Sequence, residues 1–457
     1  MKRNLVLFSL CLSLLFTLSH SPAVRADIAP PEMPPGVTLL PGEESTQVRM
    51  VAETVTLTIS ADPSDAQKAV AETVAVFTMR NLGASEERMQ VRFPLSFFDG
   101  STDGWMDFPE IPSIEAKVNG QAVPTTRRDM PAVRTEAPFS YPEREELPWA
   151  VFDVAFPPNE DVVIEVAYTS NGFGEFPRQS FKYIMETGAG WNGTIGSAEI
   201  IARFPYAVDE KNVFTLGMLG FDQPNWDVTL SGNEIRWQAQ DFEPTWEHNI
   251  EVSLIAPSLW QTILDASAQT AADPNDAGAW GVLAESYWRI LYSPRGSVFH
   301  YPHQVEMYEL AKAAYENHLM RQPGEASMHL NYGWLMWDYY LFMLLEKQPV
   351  PTELMPVILR ELQTVRSLDP GNEDAKFILI HISEEVPDAV QRDGDDFIFL
   401  IEPAAPMEAP LPAPEPASTP EAQPAPTESP AASNPLCGSA FLLPALLGMV
   451  FVVKRRN

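Results

Sequence analysis

The chain has 457 residues, 45% of them hydrophobic, and carries 62 acidic against 30 basic residues, a formal charge of −32 at pH 7. Such a surface repels phosphate backbones, which excludes nucleic acid as a partner class. The two cysteines, Cys11 and Cys437, stand near opposite ends. The body between them has no internal disulfide and must be stabilised by buried core.

Residues 1–26 read as a signal peptide. Lys2 and Arg3 precede the apolar run Leu5–Leu18, and Val24-Arg25-Ala26 sets small residues at a cleavage site after Ala26. Six of the basic residues lie in this segment and the C-terminal one, leaving 24 basic against 62 acidic groups in the exported body. Residues 27–45 form a Pro-rich lead-in, extended rather than folded. Strand periodicity begins at Gln47 with Val48, Met50, Ala52, Val55, Leu57 and Ile59, and continues through Val70–Phe77 and Met89–Leu95.

Asp99-Gly-Ser-Thr-Asp-Gly-Trp-Met-Asp-Phe-Pro-Glu110 then reads against a calcium loop. Asp99, Ser101, Asp103, Asp107 and Glu110 place oxygen side chains at positions 1, 3, 5, 9 and 12, Trp105 offers its carbonyl at position 7, and Gly104 allows the sharp turn. Hard oxygen ligands on an acidic exported protein suit Ca²⁺, the one candidate cofactor; an acidic turn between strands is the competing reading.

Further strands follow at Ile114–Val118, Trp149–Phe156 and Val162–Tyr168, with the hairpin signal Asn119-Gly120 between two apolar runs. A second β-rich stretch runs from Gln179 to Pro257, with a turn at Ser231-Gly232-Asn233. Residues 46–257 are thus expected to form an antiparallel β-sandwich region, as one sandwich or two. Gly188-Ala-Gly-Trp191-Asn-Gly193-x-Ile195-Gly196-x-Ala198-x-Ile200, closed by Arg203-Phe-Pro-Tyr206, is similar to an uncharacterised bacterial exported β-domain family. That resemblance implies a compartment and a fold, and no activity.

Beyond Pro257, Trp260, Ile263, Leu264, Ala268 and Ala271 recur at helical spacing. Turns at Pro274, Pro323 and Pro370, 49 and 47 residues apart, punctuate an Ala- and aromatic-rich region. Ala277-x-Ala279-Trp280-x-x-Leu283-Ala284-x-x-Tyr287 and Ala326-x-x-x-Leu330-x-Tyr332-x-x-Leu335 open two units, and Tyr308–Leu319 supplies a helix between them. The region 258–400 resembles tetratricopeptide-type helical hairpins, at a period longer than the family's about 34 residues. The resemblance implies a protein partner on the helical domain. His300-Tyr-Pro-His303 has metal-ligand residue types without a third ligand, and the aromatic run Tyr332–Tyr340 reads as packing or as a ligand groove.

Residues 401–435 are almost all Pro, Ala, Glu, Ser and Thr, a disordered stalk reaching about 3.1 Å per residue. Residues 436–457 read as a transmembrane anchor, with Lys454-Arg-Arg456 held on the cytoplasmic side, or as a sorting signal processed or lipidated at Cys437. The fold class expected is α+β multidomain, ending in a transmembrane helix. The functional expectation is a non-catalytic interaction or scaffolding module of the cell envelope, facing the bacterial surface or periplasm. A calcium-dependent adhesion module and an envelope-polymer hydrolase are the alternatives.

Overall fold

The computed structural model describes residues 46–96, 110–131, 146–215, 225–292, 302–394 and 396–407. Its strands are β1 (Val48–Ala61), β2 (Ala69–Asn81), β3 (Glu87–Pro94), β4 (Ile114–Val118), β5 (Gln121–Val123), β6 (Thr126–Pro131), β7 (Glu146–Phe156), β8 (Asp161–Asn171), β9 (Arg178–Tyr183), β10 (Ile195–Arg203), β11 (Val213–Thr215), β12 (Asp227–Ser231), β13 (Glu234–Phe242), β14 (Ile250–Ile255), β15 (Val390–Asp393) and β16 (Asp396–Phe399). Six helices stand between β14 and β15: α1 (Pro257–Ala272), α2 (Ala277–Leu291), α3 (Pro302–Arg321), α4 (Ala326–Leu345), α5 (Leu354–Leu368) and α6 (Glu373–Glu385).

One eight-stranded sheet runs β12-β13-β10-β1-β2-β8-β4-β5. It draws strands from both β-rich stretches, so the two belong to one folded region. Two three-stranded sheets, β3-β7-β6 and β11-β14-β9, complete it. Strand β2 shows why the sequence pattern works: Ala69, Ala71, Thr73, Ala75, Phe77, Met79 and Asn81 alternate inward. Between β4 and β5, Asn119 and Gly120 adopt φ of 50° and 78°, the left-handed pair that a two-residue hairpin needs.

The expected antiparallel arrangement holds for all but one pairing among the described strands. β1 and β10 run parallel, Ala52 opposite Ser197 through Thr58 opposite Arg203. Hydrophobic alternation carries the period of a strand and not its direction. Direction is set by the connection: β9 lies in another sheet, and Asn192 N–H donates to Val48 C=O at 2.9 Å, starting β10 beside the start of β1. The same strand carries a bulge between Met50 and Ala52 that moves the buried set from even to odd positions. Ala52, expected inward, is only half-buried, and Glu53 turns into the core.

Side-chain chemistry sets the helix boundaries. Asp276 and Asn372 each accept from the backbone N–H three residues on, capping α2 and α6 at 3.0 and 2.9 Å. In α1, Trp260 and Ile263 are buried as expected, but Leu264, Ala268 and Ala271 face out and Ala266 and Thr270 replace them. The expected helical span to residue 400 ends instead in the β15–β16 hairpin. The buried apolar cluster is continuous from Val48 to Phe397; Tyr206 of the β region and Trp260 of α1 meet at 6.0 Å.

Three expected segments fall mainly or wholly outside the described residues: the signal peptide, the lead-in and the anchor. No helix among the described residues is long and apolar enough to cross a membrane. The stalk is described only to Met407, and that part is not free: Ala404 N–H donates to Pro356 C=O at 2.9 Å.

Gly196 fixes the parallel joint. A Cβ there would lie 2.3 Å from the Val51 carbonyl oxygen, a backbone atom that cannot swing away. Gly196→Ala is expected to destabilise the protein by about 2 kcal/mol or more, measured by urea unfolding of the full chain.

Candidate functional site

Helix α4 presents chemistry on two sides. One side packs into the hairpins. His329 sits there with Nδ1 2.5 Å from a carboxylate oxygen of Glu361 on α5 and Nε2 3.0 Å from the Pro323 carbonyl. Both ring nitrogens face acceptors, and only the imidazolium can donate from both. Burial would lower the His329 pKa, but the Glu361 hydrogen bond and charge outweigh it, and the net shift is upward. Glu361 has no exposed surface; its other oxygen accepts from Arg360 Nε at 2.6 Å.

The preceding hairpin repeats the device. His318, at the end of α3, meets the Ala277 carbonyl at 2.8 Å and Glu325 at 3.0 Å. Gly281 on α2 leaves room for that ring, since a Cβ there would lie 2.8 Å from its Nδ1. Tyrosines fill the rest: Tyr308 stacks on Tyr339 at 4.1 Å and Tyr315 on Tyr332 at 5.4 Å, and Tyr332 Oη donates to Glu316 at 2.8 Å. Burial pushes the hydroxyls of Tyr308, Tyr315 and Tyr332 up, so they stay neutral.

The other side of α4 is partly open. Trp334 stacks on Phe377 of α6 at 6.1 Å, and Phe377 meets His381 at 4.4 Å. Phe377 is 48% exposed, unusual for a side chain of its size in a helix that otherwise buries its apolar residues. One turn beyond Trp334, Asp338 accepts a hydrogen bond from it; burial pushes the Asp338 carboxyl up to about 7. The arrangement is a short aromatic ladder beside a carboxyl that titrates near neutrality, suited to holding a ligand by stacking and one hydrogen bond.

The sequence-predicted residues are distributed otherwise. Asp99, Ser101, Asp103, Trp105, Asp107, Ala26 and Cys437 lie outside the described residues. Glu110 is described: it bridges Ser96, and its carboxylate is the counter-ion of Arg127 at 2.5 Å. His303 is half-buried at the start of α3, where burial lowers its pKa; His300 is outside the described residues. Among the described residues no group of three or more His, Cys, Asp or Glu is placed to hold a metal. In the aromatic run, Tyr332 and Trp337 pack in the interior, while Trp334 reaches the open side. The His329–Glu361 pair was not anticipated. Its signal is a lone Glu within the apolar stripe Leu354, Met355, Ile358, Leu359, Leu362 and Val365.

No protein-family model matches the chain, and no curated protein does. Among solved structures, it is similar to a presumed nutrient-binding protein of Legionella pneumophila, at 16% identity and a TM-score of 0.38, over 61% of this chain and 89% of that one. It also matches an M1 zinc metallopeptidase from Deinococcus radiodurans at 10% identity and a TM-score of 0.23, over 81% and 97%. At these scores neither likeness assigns a fold or a function.

A raised carboxyl pKa means that the folded state holds a proton which the unfolded chain releases near pH 4. The folded state is therefore penalised increasingly as pH rises from about 4 to about 7. Asp338→Asn is expected to raise the Tm at pH 8 by at least about 2 °C and to leave it unchanged at pH 3.5, measured by calorimetry.

Proposed function

We propose that this protein is a non-catalytic interaction module of the cell envelope, exported, held to a membrane by its C-terminal segment, and taking its ligand on the open side of α4 and α6. The observation that carries the reading is the Trp334–Phe377–His381 ladder with Asp338 beside it.

The finer architecture belongs to the same proposal. The β region is a sandwich, and α2–α6 are tetratricopeptide-like hairpins followed by the β15–β16 hairpin where another helix would stand. Support comes from the pairing of α2 with α3 and α4 with α5, from the Pro-containing turn that opens each unit, and from the small residues Ala279, Ala284, Ala311 and Ala314 buried in the first hairpin. Export and tethering rest on the basic-apolar-small start and the apolar-basic end of the sequence. Likeness to an uncharacterised bacterial exported β-domain family agrees with that compartment.

A binding role is favoured over hydrolysis because the most buried carboxylates among the described residues are committed elsewhere. Glu361 is held by His329 and Arg360, and Glu53 accepts from Tyr183 Oη at 2.6 Å inside the β core. Neither reaches a surface where substrate could meet it.

The test is crosslinking and pulldown on the intact membrane-bound protein. Trp334→Ala and Phe377→Ala are each expected to lower recovery of the partner by roughly tenfold, the loss of about 1.4 kcal/mol at an aromatic anchor, with the circular dichroism spectrum unchanged. Full recovery with both variants would overturn the reading.

A further inference from the structure

The Pro-rich tract begins on the folded body. Arg366 of α5 pairs with Asp396 at 2.7 Å and lies 5.6 Å over the Phe397 ring, setting the β15–β16 hairpin against the C-terminal half of α5. From there the chain turns back along the helix. Leu400 and Ile401 N–H both point at the Ala389 carbonyl, at 2.9 and 3.3 Å. Further on, Ala404 N–H donates to Pro356 C=O at 2.9 Å and Arg360 Nη1 donates to Ala405 C=O at 3.2 Å, both on the N-terminal half of α5.

Ile401, Pro403, Ala404 and Met407 are half-buried, with Ile401 and Met407 packed on the core, while Glu402, Ala405 and Pro406 are exposed; Ile401, Ala404 and Met407 stand three residues apart. Three residues per turn is the period of polyproline II, the conformation that Pro403 and Pro406 favour by fixing φ. Such a segment makes no internal hydrogen bonds, so its backbone groups are free for a receptor, and it loses little entropy on docking. The receptor's donor is preorganised as well: Arg360 is already held by the fully buried Glu361 through Nε at 2.6 Å.

We propose that this track on α5 is a receptor for a polyproline-II segment, and that its resident ligand is the chain's own Ile401–Met407. A second Pro/Ala segment of the same chemistry competes for the track. This surface is separate from the open side of α4 and α6.

Amide hydrogen exchange on the full chain, with and without a synthetic peptide spanning residues 399–409, tests the proposal. The Ala404 amide should exchange about tenfold or more slower than in the isolated peptide, the factor that 1.4 kcal/mol gives. Peptide at millimolar concentration should speed it. Ala404→Pro keeps the polyproline-II backbone and removes the donor. This variant should release 401–407 with α5 protection intact, and should bind the peptide more tightly than the parent. An Ala404 amide exchanging at the isolated-peptide rate would overturn the docked segment. A protected segment that the peptide neither displaces in the parent nor replaces in Ala404→Pro would overturn the receptor, leaving fixed packing.

Discussion

Glu361 has no exposed surface, and a carboxylate so placed must be paired or neutralised. His329 and Arg360 supply the pairing, and both consequences spread outward. His329 can reach Glu361 only when α4 and α5 cross closely, and its second nitrogen is spent on the Pro323 carbonyl, in the turn that opens α4. Arg360 turns Nη1 to the Ala405 carbonyl, tying down the start of the Pro-rich tract. One buried charge thus fixes a hairpin, a turn and the segment around Ala405. Removing one partner of such a pair typically costs 3–5 kcal/mol, about what a whole domain can spare.

The β region solves the same problem differently. The bulge in β1 turns Glu53 inward, and a tyrosine hydroxyl, Tyr183 Oη, meets it at 2.6 Å. The two acids buried among the described residues, Glu53 and Glu361, are therefore structural. What is open is aromatic surface on α4 and α6 and a carboxyl, Asp338, half-shielded enough to titrate near neutrality. Stacking plus a single adjustable hydrogen bond suits recognition more than bond cleavage.

Much of this was legible in the sequence, and the rest was hidden for identifiable reasons. Inward alternation placed β2, β3, β8 and most of β1, because a half-buried strand writes its period directly into residue type, while β7 shows as an apolar run buried from Leu147 to Phe152. Asn119-Gly120 named its own turn, and the Asp-Pro turns announced helices whose caps, Asp276 and Asn372, lie two residues beyond the proline. The direction of β10 was illegible, since it depends on a partner strand more than a hundred residues away. Helical spacing does not separate the exposed Leu264 and Ala268 from the buried positions, because neither residue type is excluded from an exposed face. The aromatic run Tyr332–Tyr340 left packing and groove open together, and nothing in it marks Asp338, whose character comes from burial and not from spacing. Of the acidic loop, only Glu110 lies among the described residues, and there it serves Arg127.

In this arrangement His329 is a charged partner of Glu361 and not a neutral core histidine. Its pKa is raised, so the stability it contributes is complete below the ordinary histidine value and is lost as pH rises through the folded one. An NMR titration of the His329 ring in the full chain measures this directly. The midpoint is expected above the reference of about 6.5, with both ring N–H protons slow to exchange below it. A midpoint at or below about 6.5 would contradict it, for the ring would then be neutral beside a buried carboxylate.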